Sequence, residues 1–176
     1  MIRTFAASAV AAAALVLLPA AAVAQGAPQT VSAADPEGIV SVMNYAGYEA
    51  ELVTDPYGDP KIDTRFGGWG GSIWFYGCND SNAECDALQF VVGFDREAPL
   101  PLEMMNELVA EHRMAAIYLD EDGDPWIKWD VVTEGGIPAS VFKSSLRQFS
   151  EQAAAIADEV FAEERAAEEA AESGAL

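Results

Sequence analysis

Between positions 48 and 94 the chain changes polarity at almost every step. Tyr48, Ala50 and Leu52 alternate with Glu49 and Glu51, and Ile62, Thr64 and Phe66 alternate with Lys61, Asp63 and Arg65. A period of two with one polar face predicts strands of a sheet that is wetted on one side. DPYGDP between them is turn chemistry, and GGWGG at 67–71 predicts another turn. SIWFYGC and CDALQFVVGF follow as third and fourth strands. Farther on, MAAIYLDEDGDPWIKWDVV reads as a hairpin, with Ile127, Trp129 and Val131 alternating with Trp126, Lys128 and Asp130.

Three stretches carry helical spacing instead. Ile39, Val42, Met43 and Ala46 form one apolar stripe, with Asp35 as N-cap, Pro36 at the first position and Gly47 as the stop. LEMMNELVAEHR puts Leu102, Met105, Leu108, Val109 and His112 on one side. His112 is then a helix-end histidine beside the core rather than a catalytic base. Phe142, Leu146, Phe149, Ala153, Ile156 and Val160 recur in steps of four and three, which predicts a long final helix with a narrow stripe. The stripe ends at Ala162, so residues 163–176, rich in Ala and Glu, read as a solvated acidic tail that extends at most as exposed helix. The order is helix, four strands, helix, hairpin, helix. It predicts an α+β domain over 35–162, an antiparallel sheet of about six strands packed with helices.

LVTDPYGDPKI and IYLDEDGDPWI share an Asp-x-x-Gly-Asp-Pro core and apolar flanks, which reads as two similar hairpins. An EF-hand counted from Asp120 fails, because Pro125 and Val131 stand where Gly and Glu are required.

The first residues change the picture of compartment. Arg3 precedes a run of small and apolar residues, Pro19 breaks it, and Ala22-Val23-Ala24 has the small-x-small pattern of a cleavage site. Residues 1–24 therefore read as a secretory signal peptide cut between Ala24 and Gln25. The run is short and Ala-rich for a membrane span, so no stable insertion is expected after cleavage. Residues 25–34 read as a small, polar, disordered leader. Of 176 residues, removing 24 leaves 152, enough for one domain with a real core.

Charge excludes one class of partner. Asp and Glu number 29 against 9 Lys and Arg, a net charge of −20 that loss of Arg3 takes to −21. Nucleic acid and anionic membrane surfaces are repelled by this balance. The only cysteines, Cys78 and Cys85, have six residues between them. With one distant histidine they cannot complete a zinc site, and the spacing is not that of a redox Cys-x-x-Cys. In an exported protein a disulfide staple is favoured, contributing about 2.5 kcal/mol at most by loop entropy. If Cys78 faces Cys85 in an antiparallel hairpin, Phe75 pairs with Leu88 and Ile73 with Phe90 on an apolar face. Trp74 then pairs with Gln89 and Tyr76 with Ala87 on the other.

FYGCNDSNAECDALQFVVGF, MNELVAEHRMAAIYLDEDGDPWIKWDV and GGIPASVFKSSLRQF together resemble the YbjN-domain family over roughly residues 36–162. Asn106 matches the Asn of that family's helix, and Leu108-Val109 stand where an aromatic-Asn pair often follows. The resemblance implies a fold like the type III secretion chaperones and a regulatory role, without catalytic residues. With the leader sequence it implies a protein of the bacterial periplasm or exterior.

No nucleophile–base pair, zinc motif or phosphate loop is present in the sequence. The expectation is a non-catalytic domain without metal or cofactor that binds a protein or peptide partner, a second copy of itself included. Trp74, Tyr76 and Trp126 are the candidate contact residues, since they fall where a one-sided sheet should be polar. The long final helix covering them is the equal alternative. A structural envelope protein without a ligand, or an uncharacterised hydrolase, are the other readings.

Overall fold

A computed structural model describes residues 29–113 and 115–174. The signal segment 1–24, its cleavage point at Ala24 and Gln25, and residues 25–28 lie outside the described residues. The described residues form, in order, β1 (Thr30–Val31), α1 (Pro36–Tyr45), β2 (Ala50–Thr54), β3 (Pro60–Phe66), β4 (Trp69–Tyr76), β5 (Ala87–Gly93), α2 (Leu102–Glu111), β6 (Ala116–Leu119), β7 (Pro125–Val132), β8 (Ile137–Pro138), α3 (Ala139–Val160) and α4 (Ala162–Gly174).

The protein is α+β, built on a six-stranded antiparallel sheet of order β2-β3-β4-β5-β7-β6. The strands arise where polarity alternates. Along β3, Ile62, Thr64 and Phe66 are buried while Asp63 and Arg65 are exposed, and along β7, Ile127, Trp129 and Val131 are buried. The β4–β5 register is the one the cysteines predict: Phe75 opposes Leu88, Ile73 opposes Phe90, Trp74 opposes Gln89 and Tyr76 opposes Ala87.

All the core helices pack on the face that holds Phe66 and Phe90. Phe149 of α3 meets Phe66 edge-on at 4.8 Å and Phe90 at 5.6 Å, and Phe142 meets Phe90 at 5.9 Å. The predicted α3 stripe is buried throughout, joined by Ala139 and Ala157. α1 supplies Ile39, Val42 and Met43, capped by the Asp35 carboxylate, which accepts from Gly38 N at 3.0 Å. Ala46 leaves the expected stripe because it is the C-cap and is exposed.

The structure differs from expectation at several places. GGWGG is not all turn: Gly67 and Gly68 turn, and Trp69 already pairs with Phe66 in the β3–β4 ladder. Trp69 is drawn into the strand by its stack on Phe161 at 4.9 Å and its edge contact with Phe94 at 5.5 Å. In α2 only Leu108 is fully buried, with Met104 and Met105 partly so, whereas Leu102 and Val109 face solvent. That helix lies over the short edge strand β6 and has little sheet to cover. Residues 29–34 are not a free leader. β1 pairs with β8, Val31 and Ala33 are buried, and Ala33 N donates to the buried Thr133 Oγ1 at 2.8 Å. From Ala162 the chain is helical with no buried residue, as its composition implies, but its first turn is tied by Glu164 to Arg96 Nε at 3.1 Å.

Candidate functional site

The other face of the sheet is where Trp74 and Tyr76 point. Alternation sends Ser72, Trp74 and Tyr76 of β4 away from Ile73 and Phe75, and the ladders set Lys61, Trp74, Gln89 and Asp130 in one row across four strands. Among the described residues no helix packs on this face. The alternative in which the final helix covers the aromatics is thereby overturned: α3 follows the Phe66–Phe90 face, to which its apolar stripe is complementary.

Trp126 joins the same face through a glycine. Gly93 lies opposite Trp126 in the β5–β7 ladder, and a Cβ at Gly93 would meet the indole at 2.7 Å. The ring therefore lies flat on the backbone of β5, an approach that only glycine permits. Its Nε1 donates to Asp120 Oδ2 at 2.8 Å, which fixes the ring's orientation.

Asp120 in turn organises the β6–β7 turn. Its Oδ1 accepts from Asp122 N at 3.1 Å and Asp124 N at 3.0 Å, and its backbone closes with Asp124 and Gly123. Asp55 repeats this at the β2–β3 turn, accepting from Tyr57 N at 2.8 Å and Asp59 N at 2.9 Å, with the same backbone closure through Asp59 and Gly58. The shared Asp-x-x-Gly-Asp-Pro sequence is thus one turn built twice. The indole donor of Trp126, then the amide of Asp124, hold the Asp120 carboxyl below the ordinary carboxylate value of 3.8.

Two depressions meet on this face. A groove of about 520 Å³ is floored by Gly70, Gly71 and Gly93, walled by Trp74 and Trp126, and ends at Asp95, Asp120 and Asp124. A smaller hollow of about 240 Å³ shares Trp74, Val91 and Trp126 with it and continues past Tyr118 to Tyr76. Tyr76 is 47% exposed and Tyr118 36%. Lys61 sits 5.1 Å over the Trp74 ring and 2.7 Å from Asp63, and Lys128 sits 4.7 Å over the Tyr118 ring. The Lys61 contact lowers the pKa of Asp63; burial opposes it, and a weaker hydrogen bond from Ser72 adds to the lowering. Each lysine is thus engaged by the face itself.

Trp74, Tyr76 and Trp126 are brought together, as the sequence suggests. The sequence reading did not single out Tyr118, Asp95 or the two lysines. Tyr118 carried a signal, since it alternates with Ile117 and Leu119, which pack against the core. Asp95 carried none, because it follows the end of β5.

The cysteines lie beyond the site at the far end of the β4–β5 hairpin. Cys78 and Cys85 are bonded, with Sγ–Sγ 2.04 Å and Cα atoms 3.8 Å apart. That is closer than the 4.4–6.8 Å usual for a bridge. Left-handed Gly77 (φ 68) and Glu84 (φ 53) turn the chain inward just beside them. Inside the loop, Asn79 Oδ1 accepts from Ser81 N and Ala83 N, and Asn82 Nδ2 reaches Asp59 Oδ1 at 2.8 Å across to the β2–β3 turn. A bridged pair fits an oxidising compartment.

His112 caps the C-terminus of α2 with its Nε2 2.9 Å from Glu159 Oε1 of α3, and it is not part of the groove's lining. Asn106 is exposed on α2. Among the described residues no group of three or more His, Cys, Asp or Glu side chains is arranged to hold a metal ion, and no helix is long and apolar enough to cross a membrane.

A family model described as "YbjN: Putative bacterial sensory transduction regulator" matches residues 35–162. No curated protein matches the chain.

Proposed function

The chain belongs to the YbjN family, and from that premise we propose that it is an exported, non-catalytic binding domain that holds a protein or peptide partner on the open face of its sheet. One observation carries this reading: Trp74, Tyr76, Tyr118 and Trp126 line a continuous depression on a face that no helix of the described residues covers. Water-facing sheet surfaces are ordinarily polar, and clustered aromatics on such a surface mark contact sites. The regulator description of the family agrees with a binding role.

Trp74→Ala separates this reading from a packing role. As an interface anchor, Trp74 is expected to contribute about 2 kcal/mol or more to partner binding, measured on a partner captured by crosslinking in the periplasm, with thermal stability nearly unchanged. A loss of about 3–5 kcal/mol of folding stability with unaltered partner capture overturns the reading. A structural envelope protein without a ligand would instead give no stabilisation with any periplasmic fraction in a thermal-shift screen.

Export rests on the charged, apolar and small-residue order of positions 1–24 together with the Cys78–Cys85 bridge. Mass spectrometry of the mature protein is expected to find Gln25 at the N-terminus. Soluble protein that retains Met1 in the cytosol rules export out.

A further inference from the structure

The open face also bears on the chemistry of its occupant, an inference that rests on the binding role proposed above. Its charges are unbalanced. Asp63, Asp95, Asp120, Asp124 and Asp130 stand on or beside it against Lys61 and Lys128. Lys61 is paired with Asp63, and Lys128 lies over Tyr118 in the smaller hollow rather than in the groove. Asp130 accepts from Gln89 Nε2 at 2.8 Å and Asp124 from Arg96 N at 3.0 Å, both from neutral donors. Asp95 is exposed and, among the described residues, has neither a hydrogen bond nor an ion pair. It stands at the end of the groove where Asp120 and Asp124 also lie.

We propose that the groove takes an extended peptide segment that alternates basic and apolar residues, with an apolar side chain over Gly70 and Gly93 between Trp74 and Trp126 and a Lys or Arg at Asp95. Charge complementarity selects this occupant, because the acidic end attracts a cation while the aromatic walls and glycine floor desolvate an apolar group. It also argues against a second copy seated face to face. Two such surfaces would set one net negative face against another, and the chain as a whole carries −20. An extended segment matches the groove's course along the sheet from Asp95 to Tyr76.

The test uses the mature protein and three labelled ten-residue probes in fluorescence anisotropy: alternating Lys-Leu, alternating Glu-Leu and alternating Lys-Ser. The Lys-Leu probe is expected to bind, more tightly as ionic strength falls from about 150 mM to about 10 mM. The Glu-Leu probe should not bind, and Lys-Ser should bind more weakly. Asp95→Lys is expected to weaken Lys-Leu binding at least about fivefold. Glu172→Lys, an equal change of net charge on the exposed end of α4, should leave it unaltered. Equal loss in both variants means attraction to net charge alone and overturns the assignment. Binding of Glu-Leu that depends on Trp74 also overturns the basic partner, while the binding face itself survives. Absence of binding by all three probes overturns the assignment too, and the Trp74→Ala capture experiment then decides the face independently.

Discussion

At the scale of single residues, Asp120 links a turn to the site. Its carboxylate holds the β6–β7 turn with one oxygen and the Trp126 indole with the other. The folded-state pKa lies below 3.8, so ionised Asp120 contributes stability above its unfolded value, and that contribution is lost as pH falls below about 3.8 through the folded value. The Trp126 indole N–H resonance is therefore expected to stay in place between pH 7 and about pH 4 and to move only in stronger acid. Asp120→Asn should lower the melting temperature at pH 7, and the difference from the parent should shrink as the pH falls below about 3.8. A difference that does not shrink in acid would show that the charge is not what holds the indole. Gly93 is the second such residue. Gly93→Val would put side-chain atoms where the Trp126 ring lies. It is expected to expel the ring, visible as a red-shifted tryptophan emission, and to destroy the groove wall with the β5–β7 ladder still paired.

At the scale of elements, the two Asp-x-x-Gly-Asp-Pro turns and the cysteine loop pin the sheet at its ends, while α3 supplies its cover. Phe149 touches Phe66, Phe90 and Trp129. Phe149→Ala is expected to cost about 3–5 kcal/mol of stability in denaturant titration. The Cys78–Cys85 bridge closes a short loop, so its reduction should cost about 2.5 kcal/mol at most, and the β4–β5 ladder should survive in amide exchange. A reduced protein that unfolds outright would show that the hairpin depends on the staple. The loop's own hydrogen bonds through Asn79, and its bond from Asn82 to Asp59, argue for survival.

At the scale of the whole molecule, the layers are asymmetric: helices on one face, an open aromatic and acidic surface on the other. The C-terminal helix α4 belongs to neither layer, and its hold is narrow. Arg96 is almost wholly buried, with a side chain 4% exposed, and Glu164 is its ion-pair partner. Truncation after Arg165 removes, among the described residues, only exposed ones and should leave the melting temperature unchanged. Truncation after Phe161 removes Glu164 and leaves a buried guanidinium unpaired, which is expected to cost about 1–3 kcal/mol. Thermal melts of the two shortened chains check this directly. Equal stability of both would show that the Arg96–Glu164 pair contributes nothing.

Local pattern determined much of this by itself. A strand's alternation and a helix's spacing are properties of neighbouring residues, so the six strands of the sheet and the twin turns were legible within 48–94 and 115–132, α1 within 36–47 and the α3 stripe within 139–160. The β4–β5 register was legible too, because two cysteines and two apolar pairs agree on only one alignment. What no local pattern carries is which side of a sheet a distant helix chooses. Trp74 and Tyr76 read equally as covered or open until Phe142 and Phe149 are seen on Phe90, a contact across more than fifty residues. Trp69 entered its strand because of Phe161, and residues 29–34 were ordered because Thr133 and β8 meet them. The groove is of the same kind. Its floor is made of missing side chains on β4 and β5, its walls come from β4 and β7, and its acidic end gathers Asp95 with Asp120 and Asp124 from the far side of α2. Only the folded chain brings those together, because burial energy depends on the surface two elements share rather than on either alone.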